Sequence, residues 1–180
     1  MDIRSVDCER EFLSGLLEAL EAQMGDRAHA AITIEVALDH FEFTTGLAFV
    51  ACQRYITSTC GWLRVPKRTA LIVGLRLNAD LTYVEALNAA ADYWKHADGW
   101  NNPAEAKRSS NTKRVLTLMG LNPDDVYTGQ DLFGKFDVGN IRDFIPILEK
   151  WRADLWCGVQ LAEKGITNSE TGLGAKSRSI

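Results

Sequence analysis

Asp92, Lys95 and His96 lie within one short stretch of the chain, and that set of side chains could move a proton or hold a phosphate. Asp92 and His96 are four residues apart, so on a helix the carboxylate can meet and orient the imidazole. Lys95 could stabilise charge on a phosphate, and Arg54, from a second polar–aromatic group at Gln53-Arg54-Tyr55, could join it. The plainer reading of the same residues is structural. A histidine at a helix C-terminus suits the negative end of the helix dipole and pairs with Asp92. A third reading is a small-ligand pocket lined by Tyr55, Tyr93, Trp94 and Trp100, with Asp98 beside them. Aromatics at helical spacing are, in the plain reading, core.

The element that positions the cluster is a helix over residues 82–98. Thr82 with Glu85 forms a capping-box pattern, and Gly99 ends the helix before Trp100. Val84, Leu87, Ala90, Ala91 and Trp94 fall on one face, the expected core stripe. Glu85, Asn88, Asp92 and His96 fall on the opposite, polar face. The alanines at 89–91 let a neighbouring helix approach closely.

The rest of the chain reads as helical. A first helix spans residues 6–24 with its stripe at Phe12, Leu13, Leu16, Leu17 and Leu20, and Gly25 stops it. Residues 32–38 alternate apolar and polar, which suits a short strand, or else a helix running on into the next segment. A helix over 41–57 follows, with Asp39 and Glu42 as an N-cap arrangement. Residues 61–68 form a basic connector with Arg64, Lys67 and Arg68, and Arg76 a little further on: a solvated link, or a phosphate contact. Residues 69–77 are either a buried helical turn or a strand. Asn102-Pro103 starts a helix that runs to Met119, and Asn122-Pro123 repeats the signal for a short one. Residues 129–139 read as a loop anchored by Leu132, Phe133 and Phe136. The last helix, 141–164, has too many apolar positions for a narrow stripe, so it is central or meets a partner; Pro146 delays its start. The expected architecture is all-α: one helical bundle of about five to six helices over residues 1–164, with a short strand or extended piece near 32–38, and a mobile tail over 165–180.

Composition narrows the function classes. The 180 residues carry a net charge of −4, which argues against broad DNA binding. No long apolar run suggests a membrane span, and the acidic start lacks the apolar core of a signal peptide. The four cysteines have no CxxC spacing and read as free thiols of a reducing, cytoplasmic compartment, with no metal site and no cofactor expected. No Walker loop, GxGxxG, HExxH or GxSxG occurs.

The run from Ala90 to Trp100 resembles the pattern A-[ND]-Y-[FW]-K-H-x-[DE]-x-W of uncharacterised bacterial helical proteins, together with Gln53-Arg54-Tyr55 and Trp151-Arg152. More loosely, Asp92 to His96 resembles the polar-x-x-x-His half of the motif of the HEPN superfamily, small helical bundles of which many are metal-independent ribonucleases. The arginine of that motif is replaced here by Ala91. The resemblance implies a bacterial protein that dimerises. In an RNase of this kind His96 would work on the ribose 2′-hydroxyl, Asp92 would hold the imidazole, and Lys95 or Arg54 would face the phosphate. Two functional expectations stand side by side. The first is a noncatalytic, self-associating helical interaction protein with a homo-oligomeric or other protein partner. The second is a HEPN-like metal-independent ribonuclease or nucleotide-handling enzyme using His96, with RNA as its partner.

Overall fold

The computed structural model describes residues 6–7, 9–30, 33–96, 110–122, 125 and 128–164. Seven α-helices occur among them: α1 (Arg10–Ala30), α2 (Ile34–Leu63), α3 (Lys67–Leu71), α4 (Tyr83–His96), α5 (Ser110–Leu118), α6 (Gly129–Phe133) and α7 (Phe144–Glu163). One antiparallel pair, β1 (Arg76–Asn78) and β2 (Leu81–Thr82), completes the fold. The chain is an all-α bundle. The two helices beyond the expected number of long ones, α3 and α6, are five residues each.

Of the two readings of residues 32–38, the helix running on into the next segment is the one observed: from Ile34 onward the chain is helical, and no strand forms there among the described residues. A lone strand would leave its N–H and C=O groups unbonded. Thr33 offers the alternative, with extended backbone and a hydroxyl that accepts the N–H of Val36 at 3.4 Å. Alternation misled because Ile34, Val36 and Leu38 face solvent and no sheet buries them. Helix α2 therefore starts well before residue 41 and runs past 57. Asp39 and Glu42 lie inside it, and the Glu42 carboxylate accepts the N–H of Gly129 instead of capping. Helix α1 also departs from expectation. It starts at Arg10, whose N–H is accepted by Asp7 at 3.1 Å, and it crosses Gly25 to reach Ala30. A glycine inside a helix costs only about 1 kcal/mol, which packing overrides. Leu13 and Leu17 are buried, while Phe12 and Leu16 are exposed, so the working stripe is narrower than the sequence suggested.

Helix α4 lies at the centre, against α2 on one side and α5 on another. Val84, Ala86, Leu87, Ala90 and Ala91 have no exposure, and Ala89 has 1%. Small side chains bring the helices close, so burial is dense without large residues. Thr82 supplies half of the expected capping box: its hydroxyl accepts the Glu85 N–H at 3.0 Å and donates to the Leu71 carbonyl. Gly46 on α2 makes room for the Trp94 ring; a Cβ there would lie 1.9 Å from Trp94 Cε2. Trp94 is half-buried rather than fully buried, its outer edge meeting Phe43.

Helix α7 closes the bundle. Trp151 is fully buried and donates its indole N–H to the Ala70 carbonyl at 2.9 Å. Gly74, at φ +96°, passes beside that indole. Asn140 and Asp143 form a capping box around a single 3-10 turn, Ile141–Asp143, and Pro146 follows in the first turn of α7, where it displaces no helical hydrogen bond. Thr128 and Asp131 likewise cap α6, so the stretch read as a loop contains a short helix, with Leu132 and Phe136 buried and Phe133 half-buried. Residues 69–77 resolve into the end of α3 and the start of β1. The first part of the expected 103–119 helix, most of the short helix after Asn122, and the tail over 165–180 lie outside the described residues. Among the described residues no helix is long and apolar enough to cross a membrane.

Candidate functional site

Asp92, which the sequence pairs with His96, is held by other groups. Its carboxylate accepts from Gln53 Nε2 at 2.7 Å and Asn88 Nδ2 at 3.2 Å, and it forms an ion pair with Lys95 at 3.2 Å. Lys95 Nζ also donates to Gln53 Oε1. Gln53 Nε2 further reaches the Asn88 carbonyl and Asn88 Oδ1, both at 3.1 Å. One amide from α2 thus ties together three residues of α4. Gln53 and Asn88 are buried, and Asp92 and Lys95 are part-open to solvent.

Asn88 and Asp92 of this network line one side of an open cleft of ≈ 710 Å³ between α3, α4 and α5. Glu85, Asn88 and Asp92 come from α4; Lys67, Arg68 and Leu71 from α3, with Ile72 just beyond it; Asn111 and Arg114 from α5. Glu85 is 7% exposed and pairs with Arg114. Lys67 is half-buried, donates to the Thr57 hydroxyl at 3.2 Å, and has its pKa lowered mainly by loss of water, with the Asp92 charge opposing and the Lys95 charge adding. A half-buried lysine with a lowered pKa in a concave, charged setting is one physical mark of a binding site.

The remaining sequence-predicted residues fall elsewhere. His96 is exposed in the last turn of α4. Arg54 is exposed on α2 next to Gln53, and it is Gln53 that joins the Asp92 network. Tyr55 is buried on another side of α2. Its hydroxyl donates to Asp7, beside which Arg152 forms an ion pair at 3.4 Å, and burial, then the Asp7 contact, pushes its pKa up. Tyr93 is buried in the core. Neither tyrosine lines the cleft. Asp98 and Trp100 lie outside the described residues. Among the described residues no cluster of His, Cys, Asp and Glu is arranged to hold a metal.

Sequence reasoning named Lys67 and Arg68 as part of a basic connector but did not join them to the Asp92 cluster; it read Glu85 only as a capping-box and polar-face residue, and it did not name Arg114. The available signal was the polar stripe Glu85, Asn88, Asp92, which recurs at helical spacing. It reads as a solvated face, yet Glu85 and Asn88 turn out to be interior. Compared with known proteins, the chain matches no family model, no curated protein and no solved structure.

Proposed function

We propose that this chain is a noncatalytic helical interaction protein that associates with itself. The observation that carries the reading is the set of large apolar side chains left in water along α1 and the first half of α2: Phe12 at 75% exposure, Ile34 at 80% and Phe43 at 57%. Surface this apolar gains by burial against a second copy. The engagement of Asp92 by Gln53, Asn88 and Lys95 supports the noncatalytic half, because among the described residues the carboxylate that would orient His96 bonds these groups and not the imidazole. A cytoplasmic setting fits the free thiols of Cys52, Cys60 and Cys157. Sedimentation velocity across a concentration series tests the proposal. The wild-type chain is expected to dimerise and Phe12→Lys to shift it towards monomer. A monomer at every concentration refutes self-association.

The alternative, a HEPN-like metal-independent ribonuclease, has one observation on its side: His96 is open to solvent and adjacent in sequence to Lys95. End-labelled RNA incubated in EDTA with wild-type protein and with folded His96→Ala separates the readings. Equal behaviour of the two is expected. Cleavage lost only in the variant would replace the interaction reading by catalysis.

A further inference from the structure

The cleft between α3, α4 and α5 carries a charge pattern that neither self-association nor His96 uses. Its inner wall presents Glu85, Asn88 and Asp92, one for each turn of α4. Its rim presents Lys67, Arg68 and Arg114. Arg114 is committed to Glu85. Lys67 and Arg68 are different: among the described residues neither has a carboxylate within ion-pair distance, and Lys67 rests on the Thr57 hydroxyl alone. Loss of water disfavours the half-buried Lys67 ammonium, and the Asp92 charge, which is not within ion-pair distance, offsets this only in part. An anion placed between Lys67 and Arg68 would remove that penalty and form charge-assisted hydrogen bonds with both. Three cations against two carboxylates line this cleft in a chain whose net charge is −4, so it is a local reversal of the overall sign.

The other lining groups say what else the ligand carries. Asp92, with 37% of its side chain exposed, has lone pairs left beside its bonds from Gln53 and Asn88 and can accept from a hydroxyl or amino group. Leu71 and Ile72 offer an apolar side wall, with Ile72 57% exposed. The volume of ≈ 710 Å³ lies within the range of about 300–1,000 Å³ typical of small-molecule sites. Two cations lining one cleft match a dianionic phosphate monoester better than a single carboxylate. We propose that this cleft binds a small phosphorylated metabolite of nucleotide size. Its phosphate lies between Lys67 and Arg68, a hydroxyl or amino group faces Asp92, and its apolar body lies on Leu71 and Ile72.

The test is calorimetric titration of the full chain at low ionic strength with AMP, inorganic phosphate and adenosine. AMP is expected to saturate one site per chain, phosphate to compete with it, and adenosine to bind at least about tenfold more weakly, the scale of one charge-assisted contact. Lys67→Met and Arg68→Gln should each weaken AMP by about tenfold or more while leaving the circular dichroism spectrum unchanged. Should Lys67→Met fail to fold, the exposed Arg68→Gln decides alone. Any one of three results overturns the proposal: no saturable binding of either AMP or phosphate, equal affinity for AMP and adenosine, or wild-type affinity in the folded variants. A short RNA that binds where AMP and phosphate do not would assign these cations to a polymer and overturn it too.

Discussion

Gly46→Ala sets two known effects against each other at the point where α2 meets α4. Glycine inside a helix costs about 1 kcal/mol relative to alanine, so the substitution alone should stabilise α2 by about that much. The new Cβ, however, would sit 1.9 Å from Trp94 Cε2. Carbon atoms rest at about 3.5–4.0 Å, so the ring must retreat by about 2 Å. Gly46 is fixed in a buried stretch of α2, which leaves the half-buried Trp94 to move. Lifting it off α2 and away from Phe43, whose ring centroid is 6.0 Å distant, re-exposes about 100 Å² of apolar surface, or about 2.5 kcal/mol. The second effect wins, and Gly46→Ala should destabilise the chain by about 1.5 kcal/mol. In a Trp94→Ala background the obstacle is gone, and the same change should stabilise by about 1 kcal/mol. Urea denaturation of all four chains, with a common slope, gives a coupling near 2.5 kcal/mol. The reasoning is refuted if Gly46→Ala stabilises the wild-type chain, or if it has the same effect in both backgrounds.

Trp151→Ala should cost about 3–5 kcal/mol, because it empties a fully buried site, whereas Trp151→Phe should cost about 1–3 kcal/mol by leaving the Ala70 carbonyl without its indole donor; thermal melting of the two variants checks the order. Alkaline pH should weaken the fold. Burial pushes Cys52 from 9.0 up to about 12 and raises Tyr55 above 10.0, so stability present below those ordinary values is lost as pH rises through them. Lys67 acts in the opposite sense: its folded pKa lies below 10.5, so its charging penalty at neutral pH is relieved as pH climbs through the folded value. Urea midpoints should therefore fall from pH 8 to about pH 10.5 and fall more steeply in Lys67→Met, and a flat wild-type profile would contradict the assignment.

What could be read from the sequence follows from which signals are local. Thr82, Asn140 and Pro146 act through their own backbone neighbours, and each marks its element where the structure has it. The apolar stripe of α4 is also local and holds from Val84 to Ala91. Partners distant in sequence were not legible. Nothing near Asp92 announces that Gln53, 39 residues earlier, will take the bond assigned to His96. Nothing near Glu85 announces Arg114, 29 residues later. Helix periodicity assigns polar residues to water by default, and α4 breaks that default because it is enclosed from both sides, with α5 and α2 supplying the hydrogen bonds that water would otherwise give. The stop at Gly25 and the strand reading of 32–38 failed for the opposite reason: weak local preferences gave way to the long helices α1 and α2, which pair with each other.

The contact between the first residues and the last helix has a consequence for synthesis. Arg152 donates to the Val6 carbonyl at 2.8 Å and pairs with Asp7, and Arg10 pairs with Glu149. A nascent chain emerging from the ribosome can form the α1–α2 hairpin early. It can neither neutralise Asp7 nor fill the Trp151 site beside Ala70 until α7 has been made. The fold therefore cannot be completed in instalments, and a ribosome stalled before α7 would carry helices whose inner faces stay open to chaperones.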